Sequence, residues 1–243
     1  MKIISPSVEG KRGLKPAFTL AESVIALGIL VVLITGFLAV FGPAANAIRR
    51  TLSAQEASRL QATLERELST VRPGPDDGSY DTNFDKAFDF IATSHDQGRT
   101  VLIYNYRGSL LQNRDDGTAV PLEDSSGIAG QDFIVQPMVR MLNDPFLEED
   151  LESVIGRVYF VKMTQLIYEG DFLQVSDQVG KIYDPLDTSE DFTLNSREYP
   201  EAVIAFEAQF FLLPTRSFAY LQGAFNPEDF DRPVFRRNIA IRR

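Results

Sequence analysis

Residues Phe18–Phe41 read FTLAESVIALGILVVLITGFLAVF, and how this run is read decides the fold. From Ser23 to Phe41 there is no charge and hardly a polar atom. As a helix this apolar part covers roughly 28 Å at 1.5 Å per residue, close to the hydrocarbon thickness of a bilayer. The next ionised side chain is Arg49. A globular domain can bury a wholly apolar helix only at its centre. This one follows the basic run Lys11-Arg12-Gly13-Leu14-Lys15, so the expectation is a membrane span over about 23–41, with the basic leader cytoplasmic and the rest exported.

Just before the span stands Glu22, in Phe18-Thr19-Leu20-Ala21-Glu22. A lone carboxylate in an apolar helix costs roughly 2.5–3.5 kcal/mol near a bilayer centre and less at its edge. It needs a partner. No Lys or Arg lies one helical turn after it, and Lys15 is seven residues before it. A cut between Ala17 and Phe18 would create an α-ammonium on Phe18, one helical turn from Glu22, for an ion pair within or between subunits.

The run from Lys11 to Ala17 followed by FTLAESVIALGIL resembles the processing signal of type IV pilins and type II secretion pseudopilins. The resemblance spans about residues 11–72. It implies that a prepilin peptidase removes residues 1–17 as a leader, cutting between Ala17 and Phe18, and N-methylates Phe18. Glu22 then stands at the family's mature glutamate position. Ala17 occupies the place where the family normally has Gly. The implied product is a structural subunit of a pilus or pseudopilus, most simply a minor one, in the inner membrane with a periplasmic C-terminal domain. Implied partners are other pilin-like subunits through the N-terminal helix, the peptidase, the inner-membrane assembly machinery and membrane lipid.

Two plainer readings compete. An ordinary cleaved signal is suggested by Pro43 and the small-x-small site Ala45-Asn46-Ala47; against it, the apolar region exceeds the usual span of about 7–15 residues, and Glu22 goes unexplained. A simple single-pass anchor is the other.

Beyond the span the chain stays rich in helix formers, with no Gly or Pro between Ala44 and Arg72. Ile48, Leu52, Leu60, Leu64, Leu68 and Val71 draw one apolar stripe that only Glu56 interrupts. One long helix over 18–72 is expected, amphipathic from 44 to 72, with a bend or local melting at Gly42-Pro43. Pro73-Gly74-Pro75 ends it.

Charge is distributed unevenly. Residues 1–17 carry net +3, residues 18–72 net +1 and residues 73–243 net −14, for a total of −10. An acidic body argues against a nucleic-acid partner. Cysteine is absent and His95 is the single histidine, which removes disulfides, thiolate chemistry and multi-histidine metal sites. No nucleophile elbow or phosphate-cradling Gly loop is present. No enzyme is expected, although the many carboxylates leave open a tethered or exported binding or carboxylate-dependent hydrolytic domain that shares only the targeting segment.

The body, 73–243, reads as a short helix near 84–93 followed by strands. These are Thr100–Tyr106 and Ser109–Gln112, joined as a hairpin at Arg107-Gly108, then Phe133–Leu142, Arg157–Tyr168, Phe172–Val175, Gly180–Tyr183, Ala202–Leu213 and Val234–Ile241. Pro145–Val154 is a short helix or an acidic loop. The fold class that follows is α+β: a long N-terminal helix packed on a C-terminal antiparallel sheet.

Three features of the body invite chemistry. Asp184, Asp187, Glu190 and Asp191 lie in one acidic turn, an oxygen set for Ca²⁺ or equally a solvated turn, since the spacing fits no EF-hand. Some pseudopilins do bind calcium. Asp76, Asp77 and Asp81 form a weaker version. No other cofactor is expected. His95 sits in a polar turn where an exposed side chain is expected. The ending carries Arg232, Arg236, Arg237, Arg242 and Arg243, which either blunt a free sheet edge or meet the acidic face of a neighbouring subunit.

Overall fold

A computed structural model of the chain describes residues 20–72, 80–123, 126–187, 192–193 and 195–243, with backbone only at 46, 49, 50, 53, 54 and 57. The first element, α1, runs Leu20–Leu68. Helix is kept through Gly42-Pro43, even though Pro43 offers no N–H to the carbonyl one turn before it. The expected local melting there is not found. The helix stops at Leu68 rather than 72 because hydroxyls take over its last carbonyls. Ser69 Oγ donates to Glu65 O at 2.7 Å and Thr70 Oγ1 to Arg66 O at 2.9 Å.

The chain divides into two compact units, Met1–Arg49 and Arg50–Arg243. Within the second, three leucines of the predicted stripe, Leu60, Leu64 and Leu68, are buried, each contributing roughly 1.5–3 kcal/mol on removal from water. Leu52 and Ile48, nearer the apolar span, stay exposed.

The helix α2 is Asn83–Thr93. A capping box starts it: Thr82 Oγ1 accepts from Asp85 N–H, and Asp85 Oδ2 accepts from Thr82 N–H. Seven strands follow, β1 Val101–Asn113, β2 Ala119–Pro121, β3 Ile134–Met141, β4 Val154–Glu169, β5 Phe172–Val175, β6 Val203–Leu212 and β7 Phe235–Arg242. All pairings between them are antiparallel, in the order β2-β1-β4-β6-β7, with β3 also on β1 and β5 on β4. The α+β class is thus present, with helix and antiparallel sheet packed together.

Both faces of the central strands are covered, which is why 101–104 of β1 and 158–161 of β4 are unbroken buried apolar runs. On one face Val101, Ile103, Tyr159, Val161, Phe206 and Phe210 pack with Leu60, Leu64, Leu68 and the buried side of α2. On the other, Leu102, Tyr104, Phe160 and Phe211 pack beneath α3 (Leu147–Glu152), α4 (Phe218–Gly223) and Phe225. Phe160 stacks on Phe211 at 4.9 Å and meets Phe225 edge-on at 5.2 Å.

Two strand expectations need correction. No hairpin exists at Arg107-Gly108, because β1 runs straight through it. Gly108 is there for space: a Cβ on it would come within 2.5 Å of Ala119 Cβ. The turn falls later, at Arg114–Thr118, where Gly117 has φ +79° and Arg114 N–H donates to Thr118 O at 2.7 Å. Gly180–Tyr183 is not a strand. The Gln165 side chain takes the place of a strand partner, accepting from Tyr183 N–H at 2.8 Å and donating to Tyr183 O at 2.7 Å.

Candidate functional site

The feature that distinguishes the molecule is the first part of α1. Leu20–Ala45 has a mean hydropathy of 3.0 over its most apolar window, and none of that window is buried within the chain. Ile29, Leu30, Ile34, Phe37 and Leu38 are all about half or more exposed. Its few polar side chains are drawn inward: Thr35 Oγ1 donates to Val31 O at 2.8 Å. Phe37 stacks on Phe41, ring centres 4.6 Å apart. So much contiguous apolar surface is far beyond the few hundred square ångströms that a soluble monomer tolerates. Lipid or other chains must cover it. This helix is long and apolar enough to cross a membrane, as a signal sequence near the N-terminus also can be.

Glu22 lies in the first turn of α1, on an exposed position, where a carboxylate is favoured by the positive end of the helix dipole. Ala17 and Phe18 lie outside the described residues.

At the sheet end of α1, Glu56 explains the gap in the apolar stripe. Tyr159 Oη donates to Glu56 Oε2 at 3.0 Å, and Arg157 N–H donates to Oε1 at 3.4 Å. Burial, the Glu56 charge and its hydrogen bond together push the Tyr159 phenol well above its ordinary range. Gly156, at φ +80°, leaves the room: a Cβ there would meet Glu56 Oε1 at 2.8 Å. Alongside, a cleft of about 620 Å³ opens between α1 and the sheet, lined among others by Leu52, Arg59, Asn105 and Val135.

Two buried ionic clusters escaped the sequence reading. Lys86, fully buried, donates through Nζ to Glu67 Oε1 at 2.6 Å and Thr70 O at 3.1 Å, and Glu67 also pairs with Arg72. The second centres on Asp150 of α3, also fully buried. Its carboxylate accepts from Arg114 Nη1 at 2.6 Å, Arg140 Nε at 2.8 Å and Tyr104 Oη at 2.8 Å. Arg140 further pairs with Asp144 and Asp116, and both arginines lie over the Phe146 ring. Burial and the Asp150 charge push the Tyr104 hydroxyl well up, so it stays a donor. These clusters bind elements together and leave no open reactive group. Glu67 with Arg72 and Arg140 with Asp144 are local pairs, but Lys86 with Glu67, and Arg114 and Tyr104 with Asp150, are 19 to 46 residues apart, beyond the reach of a local motif.

Of the acidic turn, Asp184 and Asp187 are described and Glu190 and Asp191 lie outside the described residues. Asp184 Oδ1 accepts from Leu186 N–H at 2.9 Å, and Asp187 N–H donates to Asp184 O at 3.3 Å, an Asx-type turn. Among the described residues no group of three or more acidic or histidine side chains is placed to hold a metal. Asp81 pairs with Arg197 at 2.5 Å; Asp76 and Asp77 are outside the described residues.

His95 departs from the exposed placement expected of it. It is half-buried, with Nε2 at 3.1 Å from both Met163 O and Thr164 Oγ1. Ser94 beside it is buried and accepts from Met163 N–H at 2.9 Å. Together they occupy the edge of β4 just past the point where β1 begins, at the Val101–Val161 pair. Burial pulls the His95 pKa down; the Met163 hydrogen bond opposes this and Lys162 adds to it.

The terminal arginines split. Arg243 Nη2 donates to Ser196 O at 2.6 Å and Tyr199 O at 3.0 Å, and its guanidinium covers Phe84 at 4.6 Å. Arg232, Arg237 and Arg242 are exposed, and Arg236, also exposed, stands 4.0 Å from Glu207. No protein-family model, curated protein or solved structure matches the chain. The fold and site define an α+β protein with a long helix whose first part, after Glu22 in its first turn, is almost wholly apolar and uncovered.

Proposed function

We propose that the chain is a pilin-like structural subunit, a minor pseudopilin or minor pilin, that packs through its N-terminal helix into a type II secretion pseudopilus or type IV pilus. In this reading a prepilin peptidase cuts between Ala17 and Phe18 and N-methylates Phe18. The uncut chain waits in the inner membrane with its leader inside and its body in the periplasm. Once cut, the Phe18 ammonium and the Glu22 carboxylate neutralise each other between subunits, and the apolar stems leave lipid for one another. The acidic bodies face outward and choose partners. The mechanism is physical, with no bond made by the subunit itself.

One observation carries this reading: an uncovered apolar helix opened by a single carboxylate at Glu22. A tethered domain would need the apolar length but not the acid. The test is to purify the native protein and sequence its mature end, with Glu22→Leu in parallel. A methylated Phe18 start, and a Glu22→Leu chain that inserts but does not enter filaments, are the expected results. An intact Met1, a start after Ala47, or normal filament entry by Glu22→Leu would remove the proposal.

A further inference from the structure

Two edge strands on opposite sides of the sheet, β5 and β7, differ in chemistry. Met163 and Gln165 are two residues apart on β4, so their backbone groups point the same way. Met163 N–H and O are taken by Ser94 Oγ, and Gln165 O by Ser176 N–H at 2.9 Å, just past the Leu166–Val175 pair of β4 and β5. Hence β5 continues the side of β4 where β1 lies, and β6 with β7 lie on the opposite side.

Every residue of β5 is exposed. Phe172 is 78% exposed, and Tyr168 and Leu173 nearly half. In and after this apolar hairpin the chain from 169 to 187 carries Glu169, Asp171, Asp177, Asp184 and Asp187 against Lys181 alone. At the far edge β7 pairs, among the described strands, with β6 alone and exposes Arg236, Arg237 and Arg242, with Arg232 just before it.

Each edge would be an aggregation hazard alone. Opposite charge makes them complementary, and Arg planes suit the faces of Tyr168 and Phe172. We propose that the β5 hairpin of one copy docks along β7 of a second copy, extending the sheet from body to body. The contact is head-to-tail, so each copy keeps one edge open for the next, as a filament requires. It deepens the filament reading above and rests on it, by naming the body-to-body contact beside the stem-to-stem one.

The chain has no cysteine, so paired probes report cleanly. Two differently tagged full-length copies are co-expressed in membranes, one carrying Leu173→Cys or Gln174→Cys, the other Arg237→Cys or Asn238→Cys, then mildly oxidised. A mixed disulfide dimer is expected in at least one pairing, well above the dimers of either copy with itself. Arg236→Glu with Arg237→Glu should cut its yield about tenfold, and Glu169→Lys with Asp171→Lys on the partner should restore it. No mixed adduct in any pairing, or an adduct indifferent to charge reversal, overturns the contact. Repeating the measurement in Glu22→Leu separates the two ideas. An adduct in a Glu22→Leu chain that still enters filaments normally keeps this contact while the stem reading falls, and Glu22-dependent filament entry without any adduct does the reverse.

Discussion

Glu56 on α1 accepts the Tyr159 hydroxyl of β4 at 3.0 Å, across 103 residues of sequence, and ties the lower half of the helix to the centre of the sheet. The acid that interrupts an apolar stripe is therefore a clamp. Replacing Glu56 by Ala removes the carboxylate that accepts from the buried Tyr159 hydroxyl and from the Arg157 N–H, at about 1–3 kcal/mol. Glu56→Gln keeps an acceptor oxygen and should lose less. Thermal unfolding of the detergent-solubilised protein checks the order: wild type above Gln above Ala.

Asp150, fully buried, holds three donors. Asp150→Ala would take the shared buried acceptor from Arg114, Arg140 and the Tyr104 hydroxyl, leaving the arginines only their outer carboxylates, and breaking a buried pair from one side costs about 3–5 kcal/mol. It should be the most destabilising of the substitutions named here. Asp150→Asn, which keeps an oxygen but drops the charge, should fall between. Denaturant midpoints at constant slope would show this.

His95 should give stability a pH slope. Its folded pKa lies below the ordinary 6.5 because burial disfavours the imidazolium, so above 6.5 both states are neutral and stability is full. As pH falls below 6.5 the unfolded chain takes up the proton first, and stability declines until the folded pKa is passed. His95→Gln should flatten that limb. A separate decline should set in below about 4. There burial alone would raise the Asp116 carboxyl, but the Thr118 hydrogen bonds and Arg140 outweigh it and hold its pKa below 3.8. Unfolding free energy measured from pH 3 to 8 in both chains separates the limbs.

Gly108 has no room for a methyl. Gly108→Ala forces Ala119 and β2 away, at about 1–3 kcal/mol for overpacking. The Leu122 amide, which donates to Arg107 O at 2.9 Å, should exchange its hydrogen faster than in wild type, while amides of β6 change little.

Much of the fold could be read locally. The stripe Leu60, Leu64, Leu68 is a helical period, and Ile204, Phe206, Ala208 and Phe210 alternate, so burial of one face follows from spacing alone. Phe172–Val175 matches β5 at both ends. Gly108 misled because a glycine kept for close approach looks like one kept for a turn. Tyr183 misled because its partner is a side chain of β4, which no strand pattern records. His95 looked like a loop residue, and only the gap beside β4 explains its burial.

By itself, the sequence determined that residues from Ser23 to Phe41 must find an apolar environment and that a helix continues from them into a β-rich body. That cost or gain accrues residue by residue and needs no partner. What the tertiary structure alone decided is where the polar groups go: Glu56 to Tyr159, Asp150 to two arginines, Arg243 under the body and the other C-terminal arginines to an open edge. Hydrogen bonds and ion pairs are short-ranged and directional, so they depend on which distant segments the fold brings within about 3 Å.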